Sequence, residues 1–248
     1  MSVRLLQMGG GPEFDPMYVY TWHTLYWPAG DAFQAEGFTD GQVLNTGETI
    51  PDEGPSGNDL TTTSTSTELK YTAADANMGG QPSLTGSSSN MPWMRTYSTV
   101  SPYVVRPYSV VMIFHPITID TAAILLTDYN NPNRYYLSYT TLGAFQYKYG
   151  GGYTKNGPNG SITVGDTFGL VHHVTTLAST VYLDDVLNVT VATGGNDIQT
   201  LALMQRGDGY SAVKGSVAFC GIYEGDIRST TSWSAFQVWA LETYGATI

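Results

Sequence analysis

The 248-residue chain carries 21 acidic and 10 basic residues, a formal charge of −11 and one cysteine. Only 12% of its residues are charged, whereas 42% are hydrophobic and 12% aromatic, so it has the apolar material for a sizeable core and is not an intrinsically disordered chain. The acidity opposes a phosphate-tracking groove, and Lys148, Lys155 and Arg134 are too scattered to make a basic stripe, so no nucleic-acid partner is expected.

In chain order, residues 1–16 read as an arm. Val3, Leu5 and Leu6 precede the Gly9-Gly10-Gly11 hinge, and Phe14 and Pro16 follow it. Glycine arrives before any hydrophobic leader forms, so no secretory signal is expected. A short apolar segment on a polar domain docks onto a neighbour more readily than it stays in water, which makes Val3, Leu5, Leu6 and Phe14 candidate assembly contacts. Residues 17–27 are β-branched and aromatic and stop at Pro28, the pattern of a first strand. Residues 47–101 are rich in Gly, Ser, Thr, Asn and Pro and read as a long decorated loop system.

Between Pro107 and Pro116, residues 108–115 form a continuous apolar run, expected of a central strand covered on both faces. The longest apolar stretch, Val110 to Phe114, is far short of the ~20 residues of a membrane helix, so no membrane insertion is expected. Further strands are expected at 122–127, 135–139, 145–149 and 168–175. Residues 181–189 read as a tight hairpin whose central Asp184-Asp185 pair must accept positive φ. Strands at 201–204 and 217–223 complete the set, the latter burying the lone Cys220 as a small hydrophobe. Only the end of the chain has helical spacing: Ser232 or Ser234 as N-cap, a stripe of Phe236, Trp239, Ala240 and Tyr244, and Gly245 as the stop. The expected fold is all-β, one two-sheet β-sandwich jelly roll over residues 17–248 with a short C-terminal α-helix.

Particular segments strengthen this reading. Asp52-Glu53-Gly54-Pro55-Ser56-Gly57-Asn58-Asp59, Gly80-Gln81-Pro82-Ser83-Leu84, the 108–116 run, Val181-Tyr182-Leu183-Asp184-Asp185, Gly215 to Tyr223 and the closing Glu242 to Ala246 occur in a fixed order. The ordered set resembles the concanavalin A-like lectin/glucanase superfamily in its laminin-G-like form. The chain departs from that pattern in having Ile50 where a tryptophan is usual before the Asp-x-Ser-Gly block. The Glu-x-Asp-x-x-Glu strand of the sugar-cleaving members has no counterpart here. The nearest pairs, Glu13 with Asp15 and Glu224 with Asp226, adjoin Gly or Pro turns and read as solvated turn acids.

Other chemistry is sparse. His172 and His173 are consecutive, so on a strand their rings point to opposite faces and do not chelate one metal; one half-buried and one solvated histidine is expected. No cofactor is expected, although a weak all-oxygen calcium site around Asp184-Asp185 or Asn196-Asp197 stays open. Tyr147, Tyr149 and Tyr153, with Tyr129, Tyr135 and Trp93, are candidates for an aromatic sugar platform, against the alternative of cross-strand packing.

The resemblance, together with high Thr, Gly and Tyr and low Lys, extends to laminin-G-like virion proteins of tailed bacteriophages. It implies a non-enzymatic structural component, either a capsid decoration or cement protein or a tail or fibre part, made in the host cytoplasm and held in the virion. Its partners would be other virion proteins and copies of itself. A carbohydrate-binding module that reads host surface glycans is the alternative, and a glycoside hydrolase the third reading.

Overall fold

The computed structural model describes residues 14–62, 69–87, 94–96, 104–119, 123–128, 135–149, 153–192, 197–204 and 213–248, with only the backbone for 94–96 and Tyr149. The described strands are β1 (Trp22–Tyr26), β2 (Thr49–Ile50), β3 (Leu60–Thr62), β4 (Leu69–Asp75), β5 (Gln81–Gly86), β6 (Met94–Thr96), β7 (Tyr108–Pro116) and β8 (Ala123–Thr127). They continue with β9 (Tyr135–Tyr139), β10 (Phe145–Tyr149), β11 (Tyr153–Asn156), β12 (Phe168–Val174), β13 (Ser179–Leu183), β14 (Val186–Val191), β15 (Ala202–Leu203) and β16 (Gly215–Glu224). Three helices, α1 (Pro16–Val19), α2 (Asp31–Ala35) and α3 (Trp233–Tyr244), complete the regular elements with two 3-10 turns.

These strands form two antiparallel sheets. One runs β14-β13-β12-β7-β16-β5-β4, with β1 also on β16; the other runs β11-β10-β9-β8-β15-β6-β3-β2. The expected two-sheet sandwich with a short terminal helix is the observed fold. Every residue of β7 is buried, between β12 on one side and β16 on the other. The far edge of β16 is divided: Gly215 to Val217 pair with β5, and Cys220 to Tyr223 pair with β1.

Alternation along β7 separates two cores, as the period-2 geometry of a strand requires. Val110, Met112 and Phe114 join Leu137, Leu170 and Val217 between the sheets. Val111 and Ile113 face the other way and meet Trp22, Phe219 and Phe236 beneath α3. The helix buries Trp233, Phe236, Ala240 and Tyr244, close to the expected stripe, and Trp239 packs half-buried at its margin. Gly245 ends it at φ 71°, its N–H donating to Leu241 O. Two glycines let the outer layer approach the sheet: a Cβ on Gly221 would lie 2.5 Å from the Trp22 ring, and one on Gly169 2.1 Å from Thr247 O.

The hairpin turn between β13 and β14 has Asp184 at φ 49° and Asp185 at φ 62°, the left-handed pair its tightness demands. The 47–101 segment differs from the expectation of a loop system. It contributes β2 to β6 and so supplies edge strands to both sheets. Leu60, Leu69, Tyr71 and Leu84 are its buried apolar side chains, Thr62 is buried with them, and Thr61, Lys70 and Thr72 stay at least partly exposed.

Candidate functional site

A concavity lies against α3, where the N-terminal segment and the end of β1 meet the helix. Asp15 starts α1 by accepting from Met17 N–H at 3.0 Å, and Pro16 sits in the first turn, where a missing N–H costs nothing. The Pro16 carbonyl accepts from Trp22 Nε1 at 2.9 Å and so ties the segment to β1. Trp27, just past β1, donates from Nε1 to the buried Tyr244 hydroxyl at 2.7 Å. Its ring stands edge-on to Trp239 with centroids 5.8 Å apart. Phe14 closes one wall, 6.1 Å from Phe236 and 6.5 Å from Trp239.

The result is an open groove of about 1010 Å³. Phe14, Tyr18, Trp27, Val238 and Trp239 give it an apolar and largely aromatic lining; Asp15, Gln81, Ser234, Glu242 and Thr243 supply polar groups. Its two charged lining residues are both carboxylates, Asp15 and Glu242. Aromatic edges and faces with a few hydrogen-bonding groups suit an apolar peptide segment, or a sugar laid against a ring with its hydroxyls on the acids.

Under the Ala29-Gly30 lip of this groove lies a group that the sequence reading missed. Both carboxylate oxygens of Glu53 are buried without a hydrogen-bond partner. The carboxylate occupies the space that a Cβ on Gly30 would need, 2.0 Å away. Burial first, and then the charges of Asp31, Asp15 and Asp52, push the Glu53 carboxyl up to about 8, so its neutral form dominates at pH 7. Its neighbour Asp52 has a structural task. Its oxygens accept from the N–H groups of Leu25, Gly54 and Asn58, each at 2.8 Å, and knot β1 to the following segment. Burial still raises Asp52 despite these bonds.

Of the described sugar-platform candidates, Tyr135 and Tyr147 meet inside the core with ring centroids 6.0 Å apart, and Tyr153 lies apart from them. Tyr147 is wholly buried between the sheets, 4.4 Å from the His172 ring with its hydroxyl near Ser179, and is corrected to a core residue. Tyr135 is also buried, its hydroxyl 3.1 Å from His172 Nδ1. Tyr153 is exposed on the edge strand β11, in register with Tyr149 of β10. Trp93 and Tyr129 lie outside the described residues. On the outer face of the second sheet a different set meets. Lys148 Nζ lies 5.3 Å over the Tyr136 ring, Tyr136 donates to Gln146 Oε1 at 2.8 Å, and Gln146 donates to Asn156 Oδ1 at 2.9 Å.

Among the assembly candidates, Val3, Leu5 and Leu6 fall outside the described residues, and Phe14 packs on the helix of its own chain. His172 and His173 do point to opposite faces, but both are less exposed than expected. His172 is fully enclosed and held down to about 3 by burial and then by His173; His173 is half-buried against Ser109.

At the calcium candidates, Asp185 is paired with Arg228 at 2.9 Å and Asp184 accepts from Gly169 N–H at 2.9 Å. Asp197 is paired with Arg106, also at 2.9 Å, and Asn196 is outside the described residues. Among the described residues no three His, Cys, Asp or Glu side chains gather as a metal-binding group. Of the turn acids, Glu13 is outside the described residues and Asp226 caps a 3-10 turn by accepting from Arg228 N–H. Cys220 is buried, its thiol pushed up to about 12 by burial and then by Asp52.

No protein-family model matches the chain, and no curated protein matches it in sequence. Solved structures resemble it in fold. Domain 4 of AbnA, a GH43 extracellular arabinanase from Geobacillus stearothermophilus in complex with arabinotriose, has a TM-score of 0.51 at 16% identity, over 83% of this chain and 93% of that one. A Trypanosoma rangeli sialidase with the inhibitor DANA has a TM-score of 0.53 at 13% identity, over 77% of this chain; the match spans only 31% of the sialidase. A native heptameric SAP-like pentraxin from Limulus polyphemus has a TM-score of 0.47 at 16% identity, over 62% of this chain and 78% of that one. At such identities the likeness is one of fold, and the chain is a jelly-roll β-sandwich with a short C-terminal helix.

Proposed function

We propose that this chain is a non-enzymatic docking module of a bacteriophage particle, a capsid decoration or cement subunit or a part of the tail or fibre, with the helix-side groove as its contact surface. The observation that carries the reading is the groove itself: an aromatic floor whose rim keeps Tyr18 73% and Val238 54% exposed, with Val19 and Leu241 also open on the same two helices. Soluble chains seldom leave such apolar surface uncovered unless something binds there. The phage assignment rests on the resemblance of the sequence to laminin-G-like virion proteins. Many copies on one particle would turn modest single contacts into firm attachment, since linked contacts raise avidity without strong individual sites. Mass spectrometry of purified particles tests the reading. The chain is expected among the virion proteins, and Val238→Asp is expected to reduce its incorporation; particles that lack the chain would overturn it.

A second reading, carbohydrate binding, is favoured by one specific combination. Trp27, Trp239 and Tyr18 line the groove beside the Asp15, Glu242 and Gln81 side chains, and a similar sandwich, the arabinanase domain, was solved with arabinotriose. Calorimetric titration with arabino- and sialo-oligosaccharides tests it. Binding is expected to disappear in Trp239→Ala; no heat with any glycan of a broad panel counts against it.

A further inference from the structure

Among the described residues, no Lys or Arg lines the groove, and the two charged groups that do are the carboxylates of Asp15 and Glu242. More acid stands behind the lip. The Glu53 carboxyl lies under Gly30, close enough to Asp31, Asp15 and Asp52 for their charges to act on it. Its two oxygens are buried with no hydrogen-bond partner. We infer that the groove takes a short apolar segment of a partner protein that carries an arginine, its guanidinium set against the aromatic lining and the Asp15 and Glu242 carboxylates. The inference rests on the docking reading above and names the partner's chemistry at that same surface.

Charge complementarity fixes the sign of the occupant. A segment laid along α3 takes Asp15 and Glu242 out of the water that now reaches them. Covering a carboxylate costs more than a few apolar contacts return, unless a cation meets it in the interface. A segment with no charge leaves that cost standing, and one with an acid adds repulsion to it. The unpaired Glu53 oxygens behind the lip deepen the same bias.

The rings select among cations. An aromatic face attracts a positive group placed over it. A planar guanidinium stacks on rings and forks onto a carboxylate, which a compact, strongly hydrated ammonium does less well. The chain already holds one arginine in this way. Arg228 lies 3.6 Å over the Tyr182 ring and 5.7 Å from the Trp233 ring, and it pairs with Asp185 at 2.9 Å. Trp233 opens α3, whose later turns bring Trp239 and Glu242 to the groove. The groove offers rings and carboxylates of the same kinds, open to a partner's arginine.

Size sets the length of the segment. A volume of about 1010 Å³ stands at the top of the ~300–1,000 Å³ range of small-molecule pockets, more than one side chain fills. The helix wall from Ser234 to Thr243 is about 14 Å long at 1.5 Å per residue, which about four extended residues cover. Tyr18, Val19, Val238 and Leu241 are exposed and offer contacts to the apolar residues on either side of the arginine.

A peptide array probed with the full chain tests this. Apolar tetrapeptide amides carry Arg, Lys, citrulline (the uncharged analogue of arginine) or Glu at one position. Arg peptides are expected to retain the chain several-fold more than citrulline peptides, Lys peptides to fall between them, and Glu peptides to retain none. Glu242→Gln, at an exposed helix position, and Asp15→Asn, which keeps the helix cap, are each expected to shrink the Arg preference several-fold. Glu48→Gln, the same charge change just before β2 of the other sheet, is expected to leave it as it is.

In solution, the Arg peptide is expected to shift the indole N–H resonance of Trp239, and the shift to shrink as salt is added, since exposed carboxylates are screened. Equal retention by Arg and citrulline peptides would overturn the inference and leave the groove standing as a docking surface. An Arg preference that survives in the Asp15→Asn, Glu242→Gln double variant, or binding that leaves Trp239 unmoved, would overturn the placement. Retention by arabino- or sialo-oligosaccharides and by no peptide would overturn it as well. Absence of the chain from purified particles bears on the phage reading alone, so the two ideas fail separately.

Discussion

The two faces of the first sheet are buried by different means. Between the sheets the filling is mostly aliphatic, with tyrosines, among them Tyr108, Tyr135, Tyr139 and Tyr147, and His172 set into it. Under α3 it is a lattice of rings. Trp22 meets Phe219 at 5.4 Å, Phe219 meets Phe236 at 5.7 Å, and Phe236 meets Trp233 at 5.8 Å, all near edge-to-face. Two sheets about 10 Å apart fill their gap with alternating medium-sized side chains along many strands. One helix of 12 residues has far less surface to offer, so each of its contacts must be large. Its rim stays open where the rings run out. The sealed side serves to hold the fold together, and the open side leaves aromatic surface exposed.

The largest expected effect comes from removing the central ring of the helix side. Phe236 is wholly buried and touches Phe14, Tyr20, Trp22, Phe219, Trp233 and Trp239. Phe236→Ala should cost about 4 kcal/mol in denaturant unfolding. A cost under about 1 kcal/mol would mean that the helix contributes little to the fold, and the contrast between the two sides would collapse.

Next comes acid, which acts on the sealed side. His172 is neutral in the folded chain and is held near 3, whereas an unfolded histidine takes up its proton near 6.5. The unfolded state therefore binds more protons below pH 6.5, so stability is whole above that value and falls steadily toward pH 3. The loss is on the order of 3 kcal/mol. His172→Phe should remove this share of the acid slope; identical slopes in both proteins would show that the histidine is not excluded from water.

A smaller loss is expected where the helix is tied to β1. Trp27→Phe keeps most of the ring but deletes the bond from Nε1 to the Tyr244 hydroxyl, worth about 1 kcal/mol. The change should appear as a lower unfolding midpoint with an unchanged denaturant slope.

Glu53 also shapes the pH profile, with a sign opposite to that of His172. Its folded value, about 8, lies above the ordinary 4.5, so its contribution is complete below pH 4.5 and is lost as pH rises through 8. Glu53→Gln should remove the fall in stability between pH 4.5 and about 8 and leave the profile below pH 4.5 unchanged.

Which parts of this were legible in the sequence follows from how long and how one-sided each pattern is. All nine residues of 108–116 are buried around the apolar stretch Val110 to Phe114, and only a doubly covered strand accommodates that. Asp184-Asp185 was readable because a two-residue hairpin leaves little choice of backbone. In contrast, β2, β3 and β6 have two or three residues each, too few for any period to show, and Thr on an edge strand looks like Thr in a loop.

Tyr147 was readable in principle. Phe145, Tyr147 and Tyr149 alternate with Gln146 and Lys148, and the polar pair marks the wet face, which leaves Tyr147 inside. The groove was not readable. It is built from residues 14–18, 27–29, 81 and 234–243, which only the folded chain brings together. Glu53 was hidden for the same reason, because nothing local distinguishes it from the exposed acids around it.

The shared edge of β16 has a consequence for how the chain is made. Tyr26 pairs with Cys220, so the first strand has no ladder partner until nearly the last part of the polypeptide exists. The neighbouring register, Ser216 with Thr85, waits on the same segment. Pairings between such distant residues must first meet the loss of chain freedom and are rewarded only afterwards, which slows folding. During synthesis, Trp22 and Trp27 emerge long before the helix that covers them. For that interval the most aromatic part of the molecule depends on chaperones or on its low neighbour density for protection against aggregation.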